Sequence, residues 1–173
     1  MTPTRHGSAV IEFPSELEIL TTRAFDAPIE LVFEVLTKPE HVRQWFAPFT
    51  CVVTKCSIDL RVGGDYNTVF VTEDGTECSF RGTYLEIEPP TRIVQTWLFE
   101  GWPDAEAVET VDLDETDGVT TLTVKLAFRD KAGRDHMTGA MADPGADNGL
   151  SVSLDMIDHI LKSLVDMGPT ASG

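Results

Sequence analysis

The chain is short of basic residues: 13 Lys and Arg stand against 29 Asp and Glu in 173 residues, for a net charge of −16. Such a surface repels phosphate backbones and anionic lipid heads, which speaks against nucleic acid or a membrane surface as partner. Long apolar runs are missing too. None approaches the ~20 residues of a bilayer-spanning helix, and the opening MTPTRHGSAVIEFPSELE lacks the apolar core of a secretory signal. A soluble, cytoplasmic protein is expected. There are only three cysteines, Cys51, Cys56 and Cys78, an odd number without metal-ligand spacing. Cys51 and Cys56 are separated by an odd offset, so one regular strand would turn them to opposite faces, and free thiols are expected. The four histidines, His6, His41, His136 and His159, have no helical i, i+4 relation. With no HExxH and no glycine-rich loop running from a strand into a helix, neither a metal site nor a cofactor is expected, and Gly63-Gly64 reads as a hairpin turn.

What the chain does contain is a dense set of element boundaries between Arg23 and Pro48. Asp26 is placed to cap a helix with Pro28 in its first turn. Ile29, Val32, Phe33 and Leu36 then repeat at the spacing of one buried helical face. Thr37 to Glu40 has capping-box spacing, Pro39 opens a second short helix, and Val42, Trp45 and Phe46 form its apolar side. Before this pair, LEILTTRAF reads as a strand. After it come CVVTKCSIDLR, DYNTVFVT, CSFRGTYLEIEP, TRIVQTWLFE, VETVDLDE and VTTLTVKLAF, separated by turns at Gly63-Gly64, Asp74-Gly75, Pro89-Pro90 and Asp117-Gly118. In the last strand Leu122, Val124, Leu126 and Phe128 alternate with Thr121, Thr123 and Lys125, the pattern of half-buried antiparallel sheet. A long helix is expected from about Asn148 to Met167, its stripe being Leu150, Leu154, Ile157, Leu161 and Leu164, widened by Ile160 and Val165. Glu100 to Asp117 carries eight carboxylates and no base, expected as a solvated rim. The organisation is a loose extension over residues 1–16, one domain over 17–167 and a tail over 168–173.

These pieces resemble a known family. FDAPIELVFEVLTKPEHVRQWF at 25–46, DLRVGGDY at 59–66, GTYLEIEPPTRIVQTWLFEG at 82–101, TLTVKLAF at 121–128 and SLDMIDHILKSL at 153–164 are similar to the START-like, or SRPBCC, superfamily. Within it the likeness is to the group related to the C-terminal domain of the activator of the heat-shock-protein-ninety ATPase. The resemblance implies an α+β helix-grip fold, in which a curved seven-stranded antiparallel sheet packs on the long C-terminal helix and two short helices lie between strands 1 and 2. It also implies an apolar cavity between sheet and helix. The segment ADPGADNG after Met141 is longer than the turn such a fold leads one to expect, and Gln95 stands where relatives often carry an aromatic.

The aromatic and methionine side chains fall where that cavity would lie: Trp45, Phe46 and Phe49 from the helix pair; Tyr66, Phe70, Phe80 and Tyr84 from the middle strands; Trp97, Phe99 and Trp102 on or after the fifth strand; Met137, Met141, Met156 and Ile160 near or on the terminal helix. A filled core accounts for each residue singly; as a set they point to a pocket for a small hydrophobic or aromatic molecule. Carriage or sensing of that molecule, by a monomer or homodimer, is the expected function, with no catalytic residue assigned. The alternative is a cyclase-, dehydratase- or hydrolase-type enzyme using the same cavity, for which Asp65, Arg81, Tyr84, Glu86, Arg134, Asp135 and His136 are the acid–base candidates. Two or more inward carboxylate, histidine or tyrosine groups within hydrogen-bond reach would favour that enzyme, and a uniformly apolar lining would favour a binder. Activation of the chaperone ATPase is disfavoured, because the full activators carry a further N-terminal domain that residues 1–16 do not supply.

Overall fold

A computed structural model describes residues 10–46, 51–135 and 149–166. The strands are β1 (Val10–Glu12), β2 (Glu18–Phe25), β3 (Val52–Ile58), β4 (Asp65–Val71), β5 (Glu77–Glu88), β6 (Arg92–Phe99), β7 (Ala107–Thr116) and β8 (Val119–Phe128). The helices are α1 (Ile29–Thr37), α2 (Pro39–Trp45), a helical stretch at 131–135 (α3) and α4 (Gly149–Asp166). All strands are antiparallel in one sheet of order β1-β2-β8-β7-β6-β5-β4-β3, with α1 and α4 packed on one face. The helix-grip architecture is therefore present, with eight strands rather than seven. The additional strand, β1, lies inside the stretch expected to be loose, and joins the edge through Val10↔Thr22 and Glu12↔Leu20.

The alternation of β8 holds in register: Leu122 faces Leu113 of β7 and Arg23 of β2, on the side the helices cover. Phe25, Val32, Phe33, Val35, Ile93, Leu113 and Leu122 form the core with Leu154, Ile157, Ile160 and Leu161 of α4. Each such side chain contributes roughly 1.5–3 kcal/mol by leaving water. Val165 does not belong to the stripe; it is exposed.

Both helix caps differ from expectation. Asp26 is not the N-cap of α1; Pro28 is, and the Ile29 amide donates to the Glu115 carboxylate from the β7–β8 hairpin at 2.8 Å. The Thr37 hydroxyl donates back to the Phe33 carbonyl at 2.7 Å instead of capping α2, whose N-cap is Lys38. The β3–β4 register also shifts between Val53 and Lys55, bulging out Thr54. That one extra residue restores even parity across β3. Val53 faces Phe70 and Cys56 faces Thr68, so both lie on the inner side, and Cys51, two residues before Val53, shares their parity rather than opposing Cys56. Burial pushes the Cys56 and Cys78 thiols above their usual range, leaving them protonated.

Arg23 shares the parity of Ile19 and Phe25 and is buried under α4, only 2% exposed. It donates to Asp155 at 2.8 Å, lies 3.9 Å from Asp158, and sits over the Phe25 ring at 5.3 Å. Removing the counter-charges strands a buried cation, whereas a straight apolar side chain refills its volume. Asp155→Asn with Asp158→Asn is expected to cost about 3 kcal/mol and Arg23→Met no more than about 1; urea denaturation giving the opposite order would disprove this account.

Among the described residues, no helix is long and apolar enough to cross a membrane.

Candidate ligand site on the inner face of the sheet

Register places the aromatic residues of β4, β5 and β6 in one row. Phe80 faces Phe99 across the β5–β6 ladder, their rings stacked at 4.8 Å, and Phe70 stacks on Phe80 at 5.8 Å. Trp97, two residues before Phe99, lies 5.7 Å from Phe80. It reaches Phe128 of β8 edge-on at 6.4 Å because the residue between them on β7 is only Ala107. From α2, Phe46 meets Phe80 at 5.2 Å and Phe70 at 6.3 Å, with Trp45 at 6.0 Å from Phe46. The Trp45 indole N–H donates to the Val35 carbonyl at 2.8 Å, which fixes α2 against α1. Phe80 is thus the hub of a ring array, yet Trp45, Phe46, Phe70, Phe80, Trp97 and Phe99 all remain only partly buried.

One step along the strands the lining turns polar. Gln95 of β6 sits between Tyr84 of β5 and Glu109 of β7, and its amide donates to the Glu109 carboxylate at 2.6 Å. Tyr66 lies beside Tyr84, ring centres 5.5 Å apart, and its hydroxyl donates to the Thr96 carbonyl at 2.7 Å. Both tyrosines are buried. Beyond this row Ile93, Val111 and Leu113 return to sealed core. Glu109 is half-buried, and loss of solvation pushes its carboxyl up to about 7, the hydrogen bond from Gln95 only partly opposing it. Burial and, next, the Glu109 charge hold the Tyr66 hydroxyl far above its usual range, and burial does the same to Tyr84. The row therefore offers one carboxyl that exchanges its proton near neutrality and two hydroxyls that keep theirs.

Glycine is required where Tyr66 crosses β5. The β5–β6 ladder parts between Arg81↔Leu98 and Tyr84↔Gln95. There the Thr83 amide donates to the Thr96 hydroxyl at 2.8 Å, and the Thr96 carbonyl turns to the Tyr66 hydroxyl. A Cβ on Gly82 would stand 1.8 Å from that carbonyl oxygen and 2.7 Å from the Tyr66 ring.

The other expected site residues are dispersed. Ile160 is core, Met156 is half-buried on α4, and Trp102 is exposed in the turn after β6. Phe49, Met137, Met141 and His136 lie outside the described residues, as does the segment after Met141. Of the remaining acid–base candidates only Tyr84 faces inward. Arg81 pairs with Glu100 at 3.1 Å and Asp65 accepts from Thr83 at 2.8 Å, both lining a polar groove of about 510 Å³ on the opposite face. Glu86 pairs with Arg92 at 3.2 Å, and Arg134 with its neighbour Asp135 at 3.0 Å. The residue that sequence reasoning missed is Glu109. It was counted with the solvated acidic stretch, yet it shares its parity with Val111 and Leu113, and a carboxylate on the apolar side of an alternating strand was the available signal.

The profile of the family described as Activator of Hsp90 ATPase homolog 1-like protein matches residues 26–162. The chain belongs to this family. The Activator of Hsp90 ATPase homolog 1-like fold recurs in a protein from Rhodobacter sphaeroides, with TM-score 0.81 and 23% identity over 91% of this chain and 99% of that one. It recurs in one from Staphylococcus epidermidis, TM-score 0.72 at 26% identity over 89% and 94%. CalU16 from Micromonospora echinospora is more distant, TM-score 0.57 at 23% identity over 84% and 65%. No curated protein matches. Membership brings a fold associated in general with binding small molecules.

Proposed function

We propose that the protein binds a small apolar or aromatic molecule against the Phe80-centred ring array, carrying or sensing it without transforming it. The observation that supports this is the array itself: six contiguous aromatic side chains left partly exposed, four on the sheet's inner face and two from the end of α2. Soluble proteins seldom leave such a surface without a use for it. Covering ~300 Å² of ligand would contribute roughly 7 kcal/mol gross, and association costs reduce that to micromolar affinity. The net charge of −16 agrees with a protein that meets neither nucleic acid nor an anionic membrane surface. Trp97→Ala is expected to weaken binding of the neutral fluorophore N-phenylnaphthylamine by roughly tenfold; an unchanged titration curve would take Trp97 out of the wall. Native mass spectrometry of the freshly purified protein would test for a co-purifying small molecule.

Glu109 favours a second reading, an enzyme of the cyclase, dehydratase or hydrolase type. Three inward ionisable groups, Tyr66, Tyr84 and Glu109, supply the number that such chemistry asks for, while Gln95 stands between Tyr84 and Glu109 and takes the carboxylate's hydrogen bond. Only Glu109 exchanges a proton near neutral pH, so it would be the general base, with Tyr84 a fixed donor. Turnover of a co-purified molecule, abolished in Glu109→Gln, would establish this reading over binding alone.

A further inference from the structure

We propose that the inner-face site selects a cation: an ammonium group on an aromatic or apolar body, with Glu109 as its counter-charge and the tyrosine rings beside it. The inference deepens the binding function proposed above and rests on it. It starts from an imbalance. Among the described residues Glu109 has no ion-pair partner; its one hydrogen bond comes from the neutral amide of Gln95. The bases of the sheet are engaged elsewhere, save Lys55 of β3, which is exposed and pairs with Val69 on the outward parity. Arg23 is held by Asp155, Arg92 by Glu86 and Asp112, Arg81 by Glu100, and Lys125, of outward parity, by Glu18. Arg43 of α2 is exposed and acts on Cys56, not on Glu109.

A carboxylate taken out of water is costly unless a cation or several donors compensate it. Proteins that merely need to fill such a position use leucine or glutamine. Here the carboxylate is kept one step along β7 from Ala107, which lies between Trp97 and Phe128 in the aromatic row, where a bound group can supply what the fold omits. An ammonium suits it on three counts. It would form a charge-assisted hydrogen bond to the carboxylate. Tyr84, across Gln95 from Glu109, Tyr66 beside it and Trp97 one step along β6 are aromatic rings of the kind that attract a cation. Among the described residues the Tyr84 hydroxyl has no hydrogen-bond partner, so it can also accept from an N–H. An anionic ligand would meet repulsion from Glu109 and from the net charge of the whole chain.

The test compares two probes of nearly the same shape, the cation naphthylmethylamine and neutral methylnaphthalene, by displacement of N-phenylnaphthylamine at about pH 8, where Glu109 is charged. The amine should bind about tenfold tighter or more. Glu109→Gln should abolish that preference by weakening binding of the amine, with a several-fold smaller change in methylnaphthalene affinity. Asp114→Asn, which removes an exposed carboxylate, should preserve it and so exclude a general effect of net charge. Equal affinity of the two probes for the wild-type protein would overturn the inference and leave the binding site standing. A preference that survives Glu109→Gln would also overturn it. Failure of methylnaphthalene to displace the fluorophore at all would overturn the site itself.

Discussion

Gly82→Ala is expected to destabilise the fold by more than about 3 kcal/mol, lowering the melting temperature by roughly 10 °C or more for a chain of this size. The added methyl would stand 1.8 Å from the Thr96 carbonyl oxygen, a backbone atom that cannot move without carrying β6 with it. A shift there also breaks the bond from the Tyr66 hydroxyl and the one from the Thr83 amide to the Thr96 hydroxyl, the two contacts that replace the missing ladder rungs. Tyr66→Phe provides the scale. It removes a single hydrogen bond and leaves Thr96 unsatisfied, which is worth about 1–3 kcal/mol. Thermal melts in which Gly82→Ala is no worse than Tyr66→Phe would mean that the sheet accommodates a side chain at its parting.

The second large effect has the opposite sign. Glu109→Gln should stabilise the protein above neutral pH by about 2–3 kcal/mol and leave it nearly unchanged at about pH 4. Glu109 titrates at 4.5 when unperturbed and at about 7 in the folded chain. Below the lower value both states hold the proton. Between the two, the folded state holds it and the unfolded state does not, so rising pH removes stability, and above the upper value the full penalty is present. Glutamine keeps the shape and can still accept from Gln95, but brings no charge to desolvate. The difference between variant and wild type in urea denaturation should therefore open as pH rises through the range 4.5 to 7. A difference that is constant with pH, or a variant less stable at high pH, would show that burial does not penalise this carboxylate. A residue retained at such a cost to stability fits the pattern of sites kept for function rather than folding.

Much of this architecture was legible because each element carried its own period. The two short helices, the β8 alternation and the α4 stripe all follow from spacing within a dozen residues. Gln95 as a polar intruder on an aromatic face was legible as well. What escaped depended on distant partners or on single-residue irregularities. Asp26 is the better local cap, but Glu115 reaches Ile29 across 86 residues of sequence. The bulge at Thr54 reverses the facing of everything before it in β3, and nothing in VVTKC marks it. Glu109 was hidden by its neighbours: in a run of eight carboxylates composition suggests solvent, while only parity turns one of them inward. Arg23 was hidden in the same way, within a strand that otherwise reads as ordinary alternation.

The pairing of β2 with β8 has a consequence for how the chain is made. Every neighbour from β3 through β8 is the next strand in sequence, so this meander can form hairpin by hairpin as it leaves the ribosome. β2 cannot join in. Its partner positions run from Thr120 to Ala127, and its buried arginine awaits a carboxylate 132 residues further on. β1 and β2, made before the meander, are thus among the last strands to be placed, and until they dock the meander ends in an open strand able to pair with another molecule. The long reach from Arg23 to Asp155 means that the arginine gains its counter-charge only once α4 has been made and laid over β2.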